Sequence, residues 1–442
     1  LVGSEMCIRD RNIPLHGAIK DSIISSKDLL EPKFVGILAE DYFGLKPRFV
    51  VSEGDNVRVG DPIFEDKTNE GFYVTSQVSG KIHAINRGDK RALISVIIEN
   101  DKTYKSVELR LSGVFKEDII SAGLWDSFRE RPYGRVPRIG TEPDYIFVNG
   151  CKKDVLEICP SKILSLEIKN FNRGLAALEE LANKKVYITL NELVDLQTNN
   201  SEVVLVEGKQ PSGSSSFHIQ EIKPLRKSEK TWTIDSQDVI RLGNFLSTNK
   251  HSFQRFVSIT GPACYEPKVV RTLFGGSLEE LTAGNVHENS RLISGNAIYG
   301  TSGDSYVNFL SRYTNQISII SDKADSTLFN WLKLGQQDHS VTNVFLSSML
   351  KPKEFHFDTN INGGYRAVVP IGVFDEINPF NIDPTLLLKS LAIGDLVALR
   401  ELGIFDLTSE DMGIFSYVCP SKYDYVALFN DCIEEIWKEE SS

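Results

Sequence analysis

Polar and apolar positions alternate in short runs along the first hundred residues. Phe49-Val50-Val51 leads into a Glu53-Gly54-Asp55 turn, Phe72-Tyr73-Val74 follows Gly71, and Leu93 to Ile98 follows an Arg87-Gly88-Asp89-Lys90 turn. Runs of that length, punctuated by Gly-Asp turns, predict strands and an all-β unit over residues 12–100. Its centre is the stretch Glu53 to Lys67, answered by Gln77-Val78-Ser79-Gly80-Lys81-Ile82. Glu65-Asp66-Lys67 marks the hairpin between them.

Beyond residue 100 the period becomes helical. Lys116 to Arg129 places Ile120, Leu124 and Phe128 on one face, with Glu117 and Asp118 in the first turn and Pro132 beyond the end, which predicts a helix stopped by the proline. Tyr145 to Val148 reads as a buried strand closed by Asn149-Gly150, Leu175 to Leu181 as a helix, and Val186 to Ile188 and Val203 to Val206 as strands. Asp235-Ser236-Gln237-Asp238 opens a further helix. Strands alternating with helices predict a mostly parallel, Rossmann-like α/β domain over 101–254. Residues 255–313 return to strands, Phe256 to Thr260, Val269 to Thr272 and Leu292 to Ser294, around a short helix with Ser277 as its N-cap, the pattern of a small β-grasp module. The remainder, 314–442, holds one strand at Gln316 to Ile320 and a helical end: Pro384 to Leu402 stopped by Gly403, then Tyr425 to Trp437 with Leu428, Phe429, Cys432, Ile433 and Ile436 on one stripe. The fold class expected is therefore α/β multidomain, with a C-terminal helical domain.

Composition narrows the function. An apolar fraction of 41% and a charged fraction of 25% belong to a folded chain, and a net charge of −11 over 442 residues speaks against a nucleic-acid surface. No apolar run nears the roughly 18 residues of a membrane-spanning helix. The cysteines at 7, 151, 159, 264, 419 and 432 form no C-x-x-C pair, so neither an iron–sulfur cluster nor a structural zinc is encoded locally. Scattered single thiols suit a reducing cytoplasm. Residues 1–11, with Met6-Cys7-Ile8-Arg9-Asp10-Arg11, resemble a translated sequencing adapter and are treated as foreign to the fold.

Several positions invite a chemical reading. The β unit resembles the barrel-sandwich domain of lipoyl and biotinyl carriers, in which a hairpin lysine takes a swinging arm; Lys67 occupies that place, but many unmodified domains share the motif and a solvated lysine is expected. The stretch from Gly123 to Pro137 stands where a phosphate loop would need glycines, and Phe128, Arg129, Arg131 and Pro132 fill it. A flavin site of that type is expected to be absent. The cluster Arg129, Arg131, Arg135 and Arg138 suits an acidic partner or anion, or else a solvated basic face. A second loop, Gly208 to His218, has a single internal glycine and fails as a dinucleotide fingerprint. His218 lacks a neighbouring nucleophile or metal ligand and reads as a structural loop histidine; Cys419, placed ahead of the final helix, reads as structural too. The segment Gly275 to Leu281 resembles the opening of soluble-ligand-binding (SLBB-like) β-grasp modules.

Taken together, Glu65-Asp66-Lys67, Val78 to Ile82, Arg87 to Arg91, Gly123-Leu124-Trp125, Gln237 to Ile240, Ile293-Ser294-Gly295, Gly363 to Gly372 and Val418-Cys419-Pro420 are collinear with the NqrA family, which belongs to the bacterial sodium-translocating NADH:quinone reductases. The resemblance covers everything from Ile13 to the C-terminal helix. It implies a peripheral subunit on the cytoplasmic side of the inner membrane, docked on integral membrane partners. The complex would pass electrons from NADH through FAD, FMN and iron–sulfur centres of other subunits to ubiquinone or menaquinone and drive Na⁺ export. This chain itself would hold no redox cofactor and no metal, and is expected not to be catalytic when isolated. It departs from the family at 208–220, where Gln210, Ser212 and Gln220 stand in place of a His-Pro-Ala-Gly run and a His-Ile-His. Arg129, Arg131, Gln210, Pro211, Gly213 and His218 are then the candidates for quinone or partner contact. The competing expectation is a stand-alone soluble carrier or electron-transfer protein that uses the lysine hairpin.

Overall fold

The computed structural model describes residues 12–19, 24–322, 334–336, 338–341, 345–361 and 363–441. The adapter-like segment lies outside the described residues. Two small antiparallel sheets make the N-terminal unit. One runs in the order Phe34–Leu38, Leu93–Asn100, Gly80–Arg87, Asn56–Val57, and the other Pro47–Phe49, Pro62–Asp66, Tyr73–Thr75. Their inward positions, among them Val35, Ile63, Phe64, Val78, Val96 and Ile98, are buried, which is the barrel-sandwich the alternation predicts.

A third sheet is built on the central strand Tyr145–Gly150. Its order is Ser201–Leu205, Lys185–Leu190, Tyr145–Gly150, Thr231–Asp235, Phe128–Glu130; the first four strands are parallel and the last is antiparallel. Phe128–Glu130 corrects the sequence expectation. The predicted helix 116–129 stops at Ser121, because Gly123 turns the chain at φ +66° and sits so close to Thr75 that no Cβ would fit, and the residues that follow pair with Thr231–Asp235. Pro132 therefore ends nothing helical.

Two helices, Ile168–Leu181 and Ser236–Thr248, cross through Gly174 and Gly243. A Cβ on Gly174 would overlap the Val239 carbonyl, and one on Gly243 would overlap that of Asn170. The helices therefore meet backbone to backbone. Asp235 caps the second of them by accepting from Gln237 N at 2.9 Å.

The fourth sheet is mixed and has the order Ile24–Leu30, Lys268–Leu273, Gln254–Thr260, Gln316–Ser321, Ser290–Ser294. Two of its members come from outside residues 255–313. Ile24–Leu30 runs parallel to Lys268–Leu273, and Gln316–Ser321 runs parallel to Gln254–Thr260. The short helix Leu278–Thr282 follows Ser277, whose side chain makes no capping bond although it holds the N-cap position.

The C-terminal region is helical, with two differences from the sequence expectation. Gly394 at φ +69° and Asp395, which caps Ala398 N at 3.0 Å, divide Pro384 to Leu402 into the helices Pro384–Ile393 and Leu396–Glu401. A further helix, Ser409–Val418, precedes Tyr425–Ser441. Cys419 is buried at the C-terminal end of Ser409–Val418, with its thiol toward the Tyr425 hydroxyl at 3.7 Å. Ile13 and Leu15 pack into this helical core.

Candidate functional site

The two loops that stand out in the sequence converge on an element that its apolar spacing does not announce. Helix Ser409–Val418 opens with a capping box, in which Asp411 accepts from Thr408 N at 2.7 Å and from Thr408 Oγ1 at 2.9 Å. The neighbouring residue Glu410 pairs with Arg129 at 3.3 Å, and Asp411 also accepts a short bond from the Ser214 hydroxyl. Residues near 130 and near 214 are thus joined through residues 410 and 411. The signal available in the sequence is the Thr408-Ser409-Glu410-Asp411 spacing itself.

Each predicted site residue now has a place. The Arg129 side chain is half-buried; it donates to the Gly134 carbonyl at 3.1 Å and lies over the Tyr313 ring at 4.9 Å. Arg131 is buried and donates to the carbonyls of Phe405 and Leu407 at 3.4 and 3.2 Å, while its Nε and Nη1 find no partner; desolvation pulls its guanidinium down to about 10. Arg135 pairs with Glu130 at 3.0 Å, and Arg138 is exposed. The four arginines therefore form neither a solvated basic face nor a single anion cradle. Three of them tie the loop down.

On the second loop, the Gln210 amide donates to the Lys153 carbonyl at 2.6 Å, Pro211 O accepts from Ser214 N at 2.9 Å, and Gly213 O accepts from the Asn149 side chain at 2.9 Å. His218 is not a loop residue. It sits on the helix Ser215–Ile222, buried, with Nε2 against the Ser212 carbonyl at 2.7 Å and Nδ1 against Thr189 Oγ1 at 3.1 Å. Burial pushes its pKa down to about 4, so the ring is neutral. Lys67 is exposed on the hairpin, while Glu65 beside it is buried against Arg48.

Behind the junction lies a buried charged group. Lys153 Nζ meets Asp235 Oδ2 at 3.0 Å, and Glu157 accepts from the backbone N–H of Lys153 and Asp154 at 2.9 and 3.2 Å. Desolvation, more than any neighbouring charge, raises both Asp154 and Glu157 above the carboxylate range. Tyr299 donates a short hydrogen bond to Asp154 and also forms part of the wall of an open cleft of about 580 Å³. The same cleft is lined by Phe43, Tyr133, Tyr313, Phe429, Arg129 and Asp41. Asp41 accepts from Arg312 N at 3.0 Å, and desolvation raises its carboxyl to about 7. Aromatic walls beside carboxyl groups that hold protons near neutral pH can take a planar group and exchange protons with it. No cluster of His, Cys, Asp and Glu suited to a metal occurs among the described residues.

Three family models match in order: the NqrA N-terminal barrel-sandwich hybrid domain over residues 9–101, the NqrA second alpha/beta domain over 112–251, and the NQRA C-terminal domain over 256–304. The chain is 35% identical over 441 residues to the NqrA component of the Na(+)-translocating NADH-quinone reductase of Neisseria meningitidis serogroup B, covering 97% of this chain and 98% of the relative. The chain belongs to the NqrA family. The NqrA protein of Saccharophagus degradans is 34% identical over 98% of this chain and 99% of its own length, and that of Vibrio vulnificus is 35% identical over 97% and 98%. Among solved structures, a chain of an NAD+-reducing [NiFe]-hydrogenase aligns with 65% of this chain and 53% of its own at 10% identity and a TM-score of 0.34, a likeness too weak to argue from.

Proposed function

We propose that this chain is the NqrA component of a Na⁺-translocating NADH:quinone reductase, a peripheral protein docked on membrane subunits on the cytoplasmic side. The observation that carries the reading is its kinship with NqrA relatives over 97% of the chain. No helix among the described residues is long and apolar enough to cross a membrane. Attachment in this reading runs through partner subunits. The family stretch Gly363 to Gly372 supports it. That stretch is irregular, with Tyr365 and Val369 exposed at 74% and 57%, while Arg366 and Ser421 hold it in place against Pro420 and Ala367.

The finer reading is architectural and chemical. We read the parallel sheet as Rossmann-like and the mixed sheet around Leu278–Thr282 as a β-grasp; their strand orders support this. In this reading the chain carries no flavin of its own, because Phe128, Arg129, Arg131 and Pro132 stand where a phosphate loop needs glycines to bring backbone amides close to the anion. Its contribution lies on the quinone side, where the cleft between Tyr133, Tyr313 and Phe429 accepts a ring beside the Asp41 carboxyl, which can supply a proton. NADH, FAD, FMN and iron–sulfur centres belong to the partner subunits.

Co-expression with the membrane subunits tests the reading. The chain is expected to co-purify with them free of flavin, and its deletion is expected to abolish NADH:quinone activity of the membranes. Stoichiometric flavin on the purified chain, or purification without any membrane partner, overturns it.

A further inference from the structure

A second cavity, of about 540 Å³, lies at the carboxyl edge of the parallel sheet, away from the aromatic cleft. Three consecutive crossovers supply its wall: Lys152, Val155 and Leu156 after Tyr145–Gly150, Asn191 after Lys185–Leu190, and Val206 to Gln210 after Ser201–Leu205. Ile13 and Leu15 close one side, and Lys353 lies at the margin. In parallel α/β sheets this edge is where ligands bind, because the crossover loops there diverge and leave a crevice.

The chemistry of the lining is specific. Lys152 is half-buried, and desolvation lowers its pKa against the opposing pull of Glu157 and Asp154. The two acidic residues on the wall do not neutralise it: Glu354 is engaged by His16 at 2.8 Å, and Glu207 is exposed to solvent. Lys353 is exposed and adds positive charge at the margin. The opposite side is apolar, made of Ile13, Leu15, Leu156 and Val206, all buried. A cation facing an apolar wall across a volume of this size calls for an anionic head on a compact organic body. The Asn191 side chain, at the position where dinucleotide folds use a carboxylate to hold ribose hydroxyls, is already engaged: it accepts from Lys152 N at 2.6 Å and donates to the Val206 carbonyl at 3.0 Å. A ribose diol therefore finds no carboxylate there, and recognition rests on the anion and the apolar body.

We propose that this cavity binds an organic phosphate of mononucleotide size, with Lys152 on the phosphate and Ile13, Leu156 and Val206 against the organic part. The positive charge that a glycine-rich loop would provide through backbone amides comes here from a lysine side chain. The site is independent of the quinone-side reading.

Isothermal titration of the full chain with ADP, inorganic pyrophosphate and adenosine tests it. Saturable ADP binding is expected, tighter than that of pyrophosphate or adenosine, and weakening as salt rises. Lys152→Met is expected to weaken ADP by about tenfold or more, and Lys152→Arg much less. Lys353→Glu, at an exposed position that leaves the core untouched, is expected to weaken ADP as well, so the test survives if the Lys152 variant folds poorly. Absence of saturable ADP binding, adenosine binding as tight as ADP, or ADP affinity unchanged in both the Lys152→Met and Lys353→Glu variants would overturn the proposal.

Discussion

Arg312 grips Asp126 with two hydrogen bonds, Nε to Oδ2 at 2.9 Å and Nη2 to Oδ1 at 3.2 Å, and both residues are buried. The same guanidinium reaches Asp238 Oδ1 at 2.8 Å, Arg255 meets Asp238 Oδ2 at 2.8 Å, and Arg241 meets Asp126 at 3.2 Å. Asp126, Asp238 and Arg241 belong to the parallel-sheet domain, Arg255 and Arg312 to the mixed-sheet domain. Two carboxylates and three guanidiniums thus join the domains, with the Arg312 cation over the Phe274 ring at 4.5 Å.

Removing one partner strands buried charge. Asp126→Ala is expected to cost about 3–5 kcal/mol, seen as a lower urea midpoint. The pH dependence follows from the sign of the shift. The arginines hold Asp126 and Asp238 below the carboxylate range despite burial, Asp238 at about 2, so their contribution is full above the unfolded value of about 4 and is lost as pH falls toward 2.

His218 titrates the other way from a paired histidine. Its folded value of about 4 lies below the unfolded value of about 6.5, so protons favour the unfolded chain once pH drops under 6.5. Stability is expected to decline by about 3 kcal/mol between those limits on this account. His218→Gln should flatten that part of a thermal-midpoint profile; an unchanged slope would contradict it.

Glu157→Gln is expected to stabilise the chain at pH 8. The carboxyl is raised by desolvation, so its contribution is favourable below the unfolded value of about 4 and is lost as pH rises through the elevated folded value. The amide oxygen can still accept from the backbone N–H groups of Lys153 and Asp154. Thermal midpoints should differ between variant and parent at pH 8 and converge at pH 4.

Gly243→Ala pushes a methyl group into the Asn170 carbonyl of the crossing helix. A loss of about 2–4 kcal/mol is expected by chemical denaturation, well beyond any gain in helix propensity. A neutral result would mean that the helices can part without cost.

Intact-mass measurement should find Lys67 unmodified. An added mass matching a lipoyl or biotinyl group would instead favour the carrier reading.

Alternating runs and Gly-Asp turns make the barrel-sandwich legible, because each strand buries its own side chains locally. The central strand Tyr145–Gly150 is equally clear, being apolar and closed by Asn149-Gly150. What escapes is set by distant partners. Phe128 looks helical by spacing, yet Thr231–Asp235 offers it a sheet edge that no local pattern announces. Ile24–Leu30 joins a sheet whose other members lie more than two hundred residues on. The candidate site is half legible: Arg129 and the Ser214 loop stand out, but Glu410 and Asp411, which bring them together, carry only a capping-box signal. His218 lies on a helix of only two turns, which leaves too little periodicity to detect.

The Arg129–Glu410 pair spans 281 residues of chain. At a synthesis rate of about 5–20 residues per second, Arg129 waits roughly 15–60 s for its partner to leave the ribosome. During that interval the barrel-sandwich and parallel-sheet domains can already fold, while the aromatic cleft has no far wall. A chain still being translated therefore cannot offer the completed cleft, and any assembly step that reads it must follow synthesis of the helix that begins at Ser409.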